Sequence, residues 1–182
     1  MAEAKAQLSH LSAEILVSAE FSDDAKLILV KDSTPMGYVG KLSEASLFPD
    51  AIKYLAHSFE GRSSINWALS CARQLQPNST AVEQNALTAV ERWLADSTET
   101  NRRDAQSSAE GAQLSTPAGC IALAAFFAEG SIAPPGANAI PPPPGVSQKL
   151  AAAGIILAVV AEPEKAPERY RCCLQLGLQT AS

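Results

Sequence analysis

The sequence predicts an all-α fold: an irregular bundle of seven to eight helices, with a proline-rich loop between two buried apolar helices. Three observations carry this. Apolar residues make up 47% of the chain but aromatics only 5%, so the core is mostly alanine and leucine, which favours close-packed helices over sheets. Helix-start signals recur: Ser or Thr followed by Pro, or by acids in the first turn. Behind most of them, apolar residues return every three or four positions, the spacing of one helical face.

The 182 residues suit one domain, with frayed ends at 1–8 and 179–182. A first helix is expected over 4–20, from Leu8, Leu11, Ile15 and Leu16. Ser22 followed by Asp23 and Asp24 reads as an N-cap with acids in the first turn, starting a helix through Ala25, Leu27, Ile28 and Leu29. Residues 27–30 also suit a short strand; helix is preferred because no partner strand is visible. Thr34-Pro35 starts the next helix, with Tyr38, Val39 and Leu42 on one face.

Phe48 to Leu75 reads as a helical hairpin and is the stretch around which the other elements are expected to gather. Its halves carry Ala51, Ile52, Leu55, Ala56 and Phe59, then Ile65, Ala68, Leu69 and Ala72. Glu60-Gly61-Arg62 is so short a connection that the halves should be antiparallel neighbours. Tyr54 and Trp67 are sized to anchor what packs on the pair.

After the break at Pro77–Thr80, Thr80 and Glu83 have the spacing of a capping box. The helix behind it stripes Val82, Ala86, Leu87, Val90, Trp93 and Leu94. Residues 98–111 form the most polar helix, with only Ala105, Ala109 and Ala112 as an apolar face, which places it at the surface. Glu99 and Arg103 stand at i and i+4 in the favourable order.

Ser115-Thr116-Pro117 opens a helix apolar on every side, and Ser147 is expected to cap a second through Ala161. Such helices belong in the interior, and a charge at Phe126 or Ile156 should unfold the protein. Each apolar run is about eleven or twelve residues, short of the roughly twenty that span a bilayer, so no membrane insertion is expected. Gly154 should admit a close neighbour. Between the two helices, residues 131–146 hold six of the twelve prolines. Pro141–Pro144 is expected as polyproline II. The segment reads either as a ligand for a proline-binding groove or as a stiff connector pinned by Ile132 and Ile140. The last helix starts at Pro167-Glu168 and carries Tyr170, Cys173, Leu174 and Leu178.

Four helices end alike, with alanines at 56, 95, 128 and 161. That spacing suits solenoid-like helix pairs. The third unit would need a helix where the proline loop lies, so an irregular bundle is preferred.

Net charge is −5 and no basic cluster exists, which disfavours nucleic acid and anionic membranes as partners. Cys71, Cys120, Cys172 and Cys173 form no CxxC and read as buried thiols of a reduced, cytoplasmic protein. The N-terminal residues lack the basic and apolar regions of a secretory signal. No histidine–cysteine metal spacing, calcium loop, phosphate-cradling loop or GxSxG elbow is present, so no cofactor, metal ligand or catalytic residue is assigned. His57 reads as a partly exposed residue near the C-terminal end of its helix. Arg62, Arg102, Arg103, Arg169 and Arg171 are the candidate partner-binding residues, because arginine is enriched at interfaces.

Pro35-x-x-Tyr38, Asp50-Ala51-Ile52-x-x-Leu55-Ala56, Trp67-Ala68 with Cys71-Ala72-Arg73, and Glu83-x-x-Ala86-Leu87-x-x-Val90-x-x-Trp93 come in a set order. Ser115-Thr116-Pro117-Ala118-Gly119, the Ile132–Pro144 loop and Ala166-Pro167-Glu168-Arg169-Tyr170 follow. From about residue 20 the chain resembles an uncharacterised bacterial all-helical family, a domain of unknown function. The resemblance implies no activity and no catalytic residue. It implies a loose association with secretion loci, including type VI secretion. The expected function is a non-catalytic protein-interaction module, an adaptor or accessory protein. The alternatives are a toxin-neutralising immunity protein and an enzyme whose site is not recognisable from sequence.

Overall fold

A computed structural model describes residues 19–28, 34–60 and 62–181. Among them are nine α-helices and no strand: α1 Asp23–Ile28, α2 Pro35–Glu44, α3 Phe48–Ser58, α4 Ser63–Leu75, α5 Ala81–Ala95, α6 Glu99–Ala112, α7 Pro117–Phe126, α8 Val146–Val160 and α9 Ala166–Ala181. A 3-10 turn, Pro163–Lys165, joins the last two. The helix expected over 4–20 lies outside the described residues apart from Ala19 and Glu20, and Leu29 and the 1–8 segment also lie outside.

Most of the predicted start signals hold. Ser22 Oγ accepts from Ala25 N–H, which makes the helical alternative the right one for residues 23–28. Thr34 Oγ1 accepts from Gly37 N–H, and Thr80 with Glu83 forms the full capping box. Asp50, buried in the first turn of α3, accepts from both Ser22 N–H and Ser22 Oγ–H. Tyr38 O–H donates to Ala25 C=O at 2.6 Å. These two contacts fasten α1 to α2 and α3.

The two apolar helices pack on each other more extensively than any other pair, and α8 also lies against α3 and α4. Gly154 sits where a Cβ would be 2.6 Å from Ile121 Cγ1, so the close approach is as expected. Helices α5, α6 and α7 stack in sequence on one side. On the other side α9 covers α3 and α4. A chain end that folds back on an early helix pair is not a solenoid, in which each unit meets only its neighbours.

Several expectations are corrected. Helices α3 and α4 touch only sparsely; both pack instead on α8 and α9. The reason is Gly177 of α9, which faces Leu55 of α3 and Trp67 of α4 so closely that a Cβ would approach each within 3 Å. Trp67 N–H donates to Cys173 C=O at 2.7 Å, and this holds α9 in place. The chain end does not fray before Ala181, because Leu178 and Ala181 pack on the core. Val82 is half exposed and leaves the apolar stripe of α5. The cap of α8 is Gly145 in the left-handed conformation (φ 77°). Ser147 lies inside the helix and donates to Ala124 C=O of α7.

Candidate functional site

The five candidate arginines do not share one surface, but three converge on the turn after α7. Arg102, in the first turns of α6, is 1% exposed. Its Nε and Nη2 donate to the two oxygens of Glu99, each at 2.8 Å. Its Nη1 donates to Phe126 C=O at 2.5 Å and its Nη2 to Ser131 C=O at 2.7 Å. The guanidinium stacks 4.6 Å from the centroid of the Phe126 ring. Arg103 donates to Glu99, to Ser131 C=O and to Ala133 C=O. Arg62 pairs with Glu129 at 3.0 Å and lies over the Trp93 ring. Gly130 (φ 74°) completes the turn, and a Cβ there would stand 2.9 Å from Arg102 Nε.

Helix geometry explains this convergence. The last carbonyls of a helix lack intrahelical partners and carry partial negative charge. Neither α7 nor α8 has a basic residue in its last turn. Arginines from neighbouring helices supply the charge: Arg102 at the end of α7, and Arg169, whose Nη1 donates to Ala158 C=O, at the end of α8. Arg169 also pairs with Glu162. Arg102 is therefore internal and cannot be reached by a partner. Arg171 is exposed and lies over the ring of Phe48, itself stacked on Tyr170. The surface position expected for α6 is half right. Its outer face is polar, yet Ala105 and Ala109 are fully buried and their small size brings α7 close.

The same arginines fix the proline loop. Beyond them, Ser131 Oγ accepts from Ala133 N–H and Ile140 N–H, and Ile132 N–H donates to Ile140 C=O at 2.9 Å. The loop is thus closed at its base, while residues 134–141 are all exposed. Ile132 is half-buried and Ile140 is 52% exposed, so the isoleucines do not pin it; Ala133, 4% exposed, is the buried contact. From Gly130 to Gln148 the chain carries no charged residue. Under the loop is a niche of about 180 Å³ between Pro142–Gly145 and Phe127, Ala128 and Ser147.

A larger open cleft of about 550 Å³ lies between the α4–α5 turn and the end of α8, lined by Gln74, Pro77, Ser79, Glu162 and Arg169 among others. Hydrogen bonding to Lys165, with Arg169 adding to it, holds the Glu162 carboxyl below the usual carboxylate range. That favours the charged carboxylate of an ion pair over a proton-shuttling acid. Glu99 behaves alike: its bonds to Arg102 and Arg103 hold it at about 2.

His57 is buried, not partly exposed, and burial with Lys149 nearby lowers it to about 4 from 6.5. Neutral His57 is thus the folded form, and the unfolded chain takes up a proton first as pH falls. Stability contributed by neutral His57 is present above pH 6.5 and lost down to about pH 4, by about 3 kcal/mol in total. Urea unfolding of wild type and His57→Gln between pH 7 and 4 checks this: the wild type should lose stability more steeply, and parallel curves would refute it. His10 lies outside the described residues. Cys71, Cys120 and Cys173 are buried as expected, but Cys172 is half-buried and accepts from Gln74 Nε2. Contact with Cys173 and burial push the Cys71 thiol far up, and burial raises Cys120 and Cys172. Cys71 and Cys120 are thus buried, protonated thiols at neutral pH. Among the described residues no group of three His, Cys, Asp or Glu could hold a metal ion, and no single helix is long and apolar enough to cross a membrane.

Residues 38–181 match the model of a family of unknown function (DUF6931). No curated protein and no solved structure matches the chain.

Proposed function

The chain belongs to the family of unknown function DUF6931, and since that membership brings no activity with it, we propose a function from the site: a non-catalytic protein-interaction module, an adaptor or accessory protein that meets its partner through the loop 131–145. The observation that supports this reading is the loop itself. An exposed, uncharged segment is tied at its base by Ser131, Arg102 and Arg103 instead of being left slack. Loops that are positioned by a rigid scaffold are where binding residues concentrate, and fixing the segment in the free protein removes an ordering penalty from association. A bacterial cytoplasm, with type VI secretion as the setting, is the context implied by the resemblance and belongs to the same proposal.

The test is affinity purification of the tagged full-length chain from its native host. Beside it runs a variant whose residues 134–144 are replaced by a Gly/Ser linker of equal length. One stoichiometric partner is expected with the wild type and none with the variant, whose far-UV circular dichroism should match the wild type. No partner, or a partner held equally by both, overturns the proposal.

A further inference from the structure

We infer that Ile140–Pro144 is a polyproline II ligand, presented on two of its three edges to a partner domain with an aromatic-lined, proline-binding groove. This rests on the interaction-module reading and adds the chemistry of the partner.

Each of Ile140, Pro141, Pro142 and Pro143 precedes a proline, which excludes the helical region and holds all four in extended or polyproline II backbone. The prolines fix φ near −65°. Polyproline II has three residues per turn, so positions three apart share an edge. Within Ile140–Pro144 the burial singles out one of these edges. Ile140, Pro141, Pro143 and Pro144 are exposed, whereas Pro142 and Gly145 are half-buried. Pro142, Pro143, Pro144 and Gly145 all line the niche against Phe127, Ala128 and Ser147, and of the three prolines only Pro142 is half-buried there. The Pro142 edge is therefore the one the body covers most, and the edges Ile140/Pro143 and Pro141/Pro144 keep their exposure to solvent. The outward set consists of two dipeptides, Ile140-Pro141 and Pro143-Pro144, each an apolar residue followed by Pro. That is the PxxP arrangement that docks into aromatic grooves.

Both ends are held. The Ile140 backbone bonds Ser131 Oγ and Ile132 N–H, and Val146 N–H donates to Pro143 C=O as α8 begins. The segment is already in its binding shape, so little conformational entropy remains to be lost on docking. With no charge between Gly130 and Gln148, recognition must come from ring faces and shape rather than ion pairing. Binding should accordingly vary little with salt.

The experiment titrates the 15N-labelled full-length chain with a purified SH3 domain, a groove of this chemistry. Saturable shifts are expected at the amides of Ala139, Ile140, Gly145 and Val146 below about 1 mM probe. Pro141→Ala and Pro144→Ala should each weaken binding about tenfold or more, and Pro142→Ala less than about threefold, because that ring faces inward. No shift at 1 mM, or equal loss at all three positions, overturns the inference. Repeating the host purification with the double variant Pro141→Ala/Pro144→Ala separates the two readings. A partner kept by this variant but lost with the Gly/Ser loop overturns the polyproline assignment and leaves the interaction module standing. Failure to recover any partner with the unaltered chain removes the module reading itself.

Discussion

Arg102→Ala is expected to lower the unfolding free energy by about 3–5 kcal/mol. The charge is 1% exposed and bonds Glu99, Phe126 C=O and Ser131 C=O. Its removal leaves the terminal carbonyl of α7 buried without its partner and opens a cavity beside the Phe126 ring. Arg102→Lys should recover little, because an ammonium cannot reach three acceptors in one plane as the guanidinium fork does. Arg103→Ala, at a partly exposed side chain, should cost about 1 kcal/mol. Urea unfolding midpoints decide. An Arg102→Ala variant within 1 kcal/mol of wild type would mean that the buried guanidinium does not hold the end of α7.

Ile155→Asp should not yield a folded protein, whereas Ile156→Asp should fold with a loss of about 1–3 kcal/mol. Ile155 is fully buried where α8 meets its neighbours, and Ile156 is half-buried at the margin. An uncompensated carboxylate in the first position is sealed from water. In the second it can turn outward. Circular dichroism melts and amide dispersion of the two variants separate these outcomes, and a soluble, cooperatively melting Ile155→Asp protein would refute the placement of α8. Ile156, where the sequence predicts that a charge unfolds the protein, lies one residue from the fully buried Ile155. Phe126, 3% exposed, was placed correctly.

That one-residue difference shows where sequence stops being informative. In α8 every residue from Leu150 to Val160 is apolar or glycine, so the hydrophobic pattern contains no contrast from which to read an inward face. In α3 and α4 the contrast exists, and Ile52, Leu55, Ile65 and Ala68 are all buried as their spacing predicts. The solenoid alternative failed for a related reason. Matching helix ends record local composition, while the return of α9 onto α3 and α4 depends on Gly177 meeting Leu55 and Trp67 across more than a hundred residues.

The candidate site was legible only in part. The proline loop, its span and its extended backbone are dictated locally, because proline is excluded from a helix beyond its first turn and forces the residue before it out of the helical region. Its anchors were not. Ile132 and Ile140 looked like the pins by hydrophobicity, but the loop is held through backbone groups by Ser131, Arg102 and Arg103. The one legible hint was that α7 and α8 carry no basic residue in their last turns and so need a cation from elsewhere. The burial of His57 is not legible in the sequence, because proximity to a helix end says nothing about what packs over it.

By itself, then, the sequence determined the elements: helical class, most caps, the two apolar helices and the polyproline segment. These follow from interactions within a few residues, and those residues are adjacent in the chain. The tertiary structure alone decided which arginines are structural, which face of α8 is sealed, how α3 and α4 are separated, and which edges of Ile140–Pro144 face solvent. Each depends on how near a neighbouring helix can come. That distance is set where a small residue meets a side chain far away in sequence, as Gly177 meets Leu55 and Trp67, and no local pattern records it.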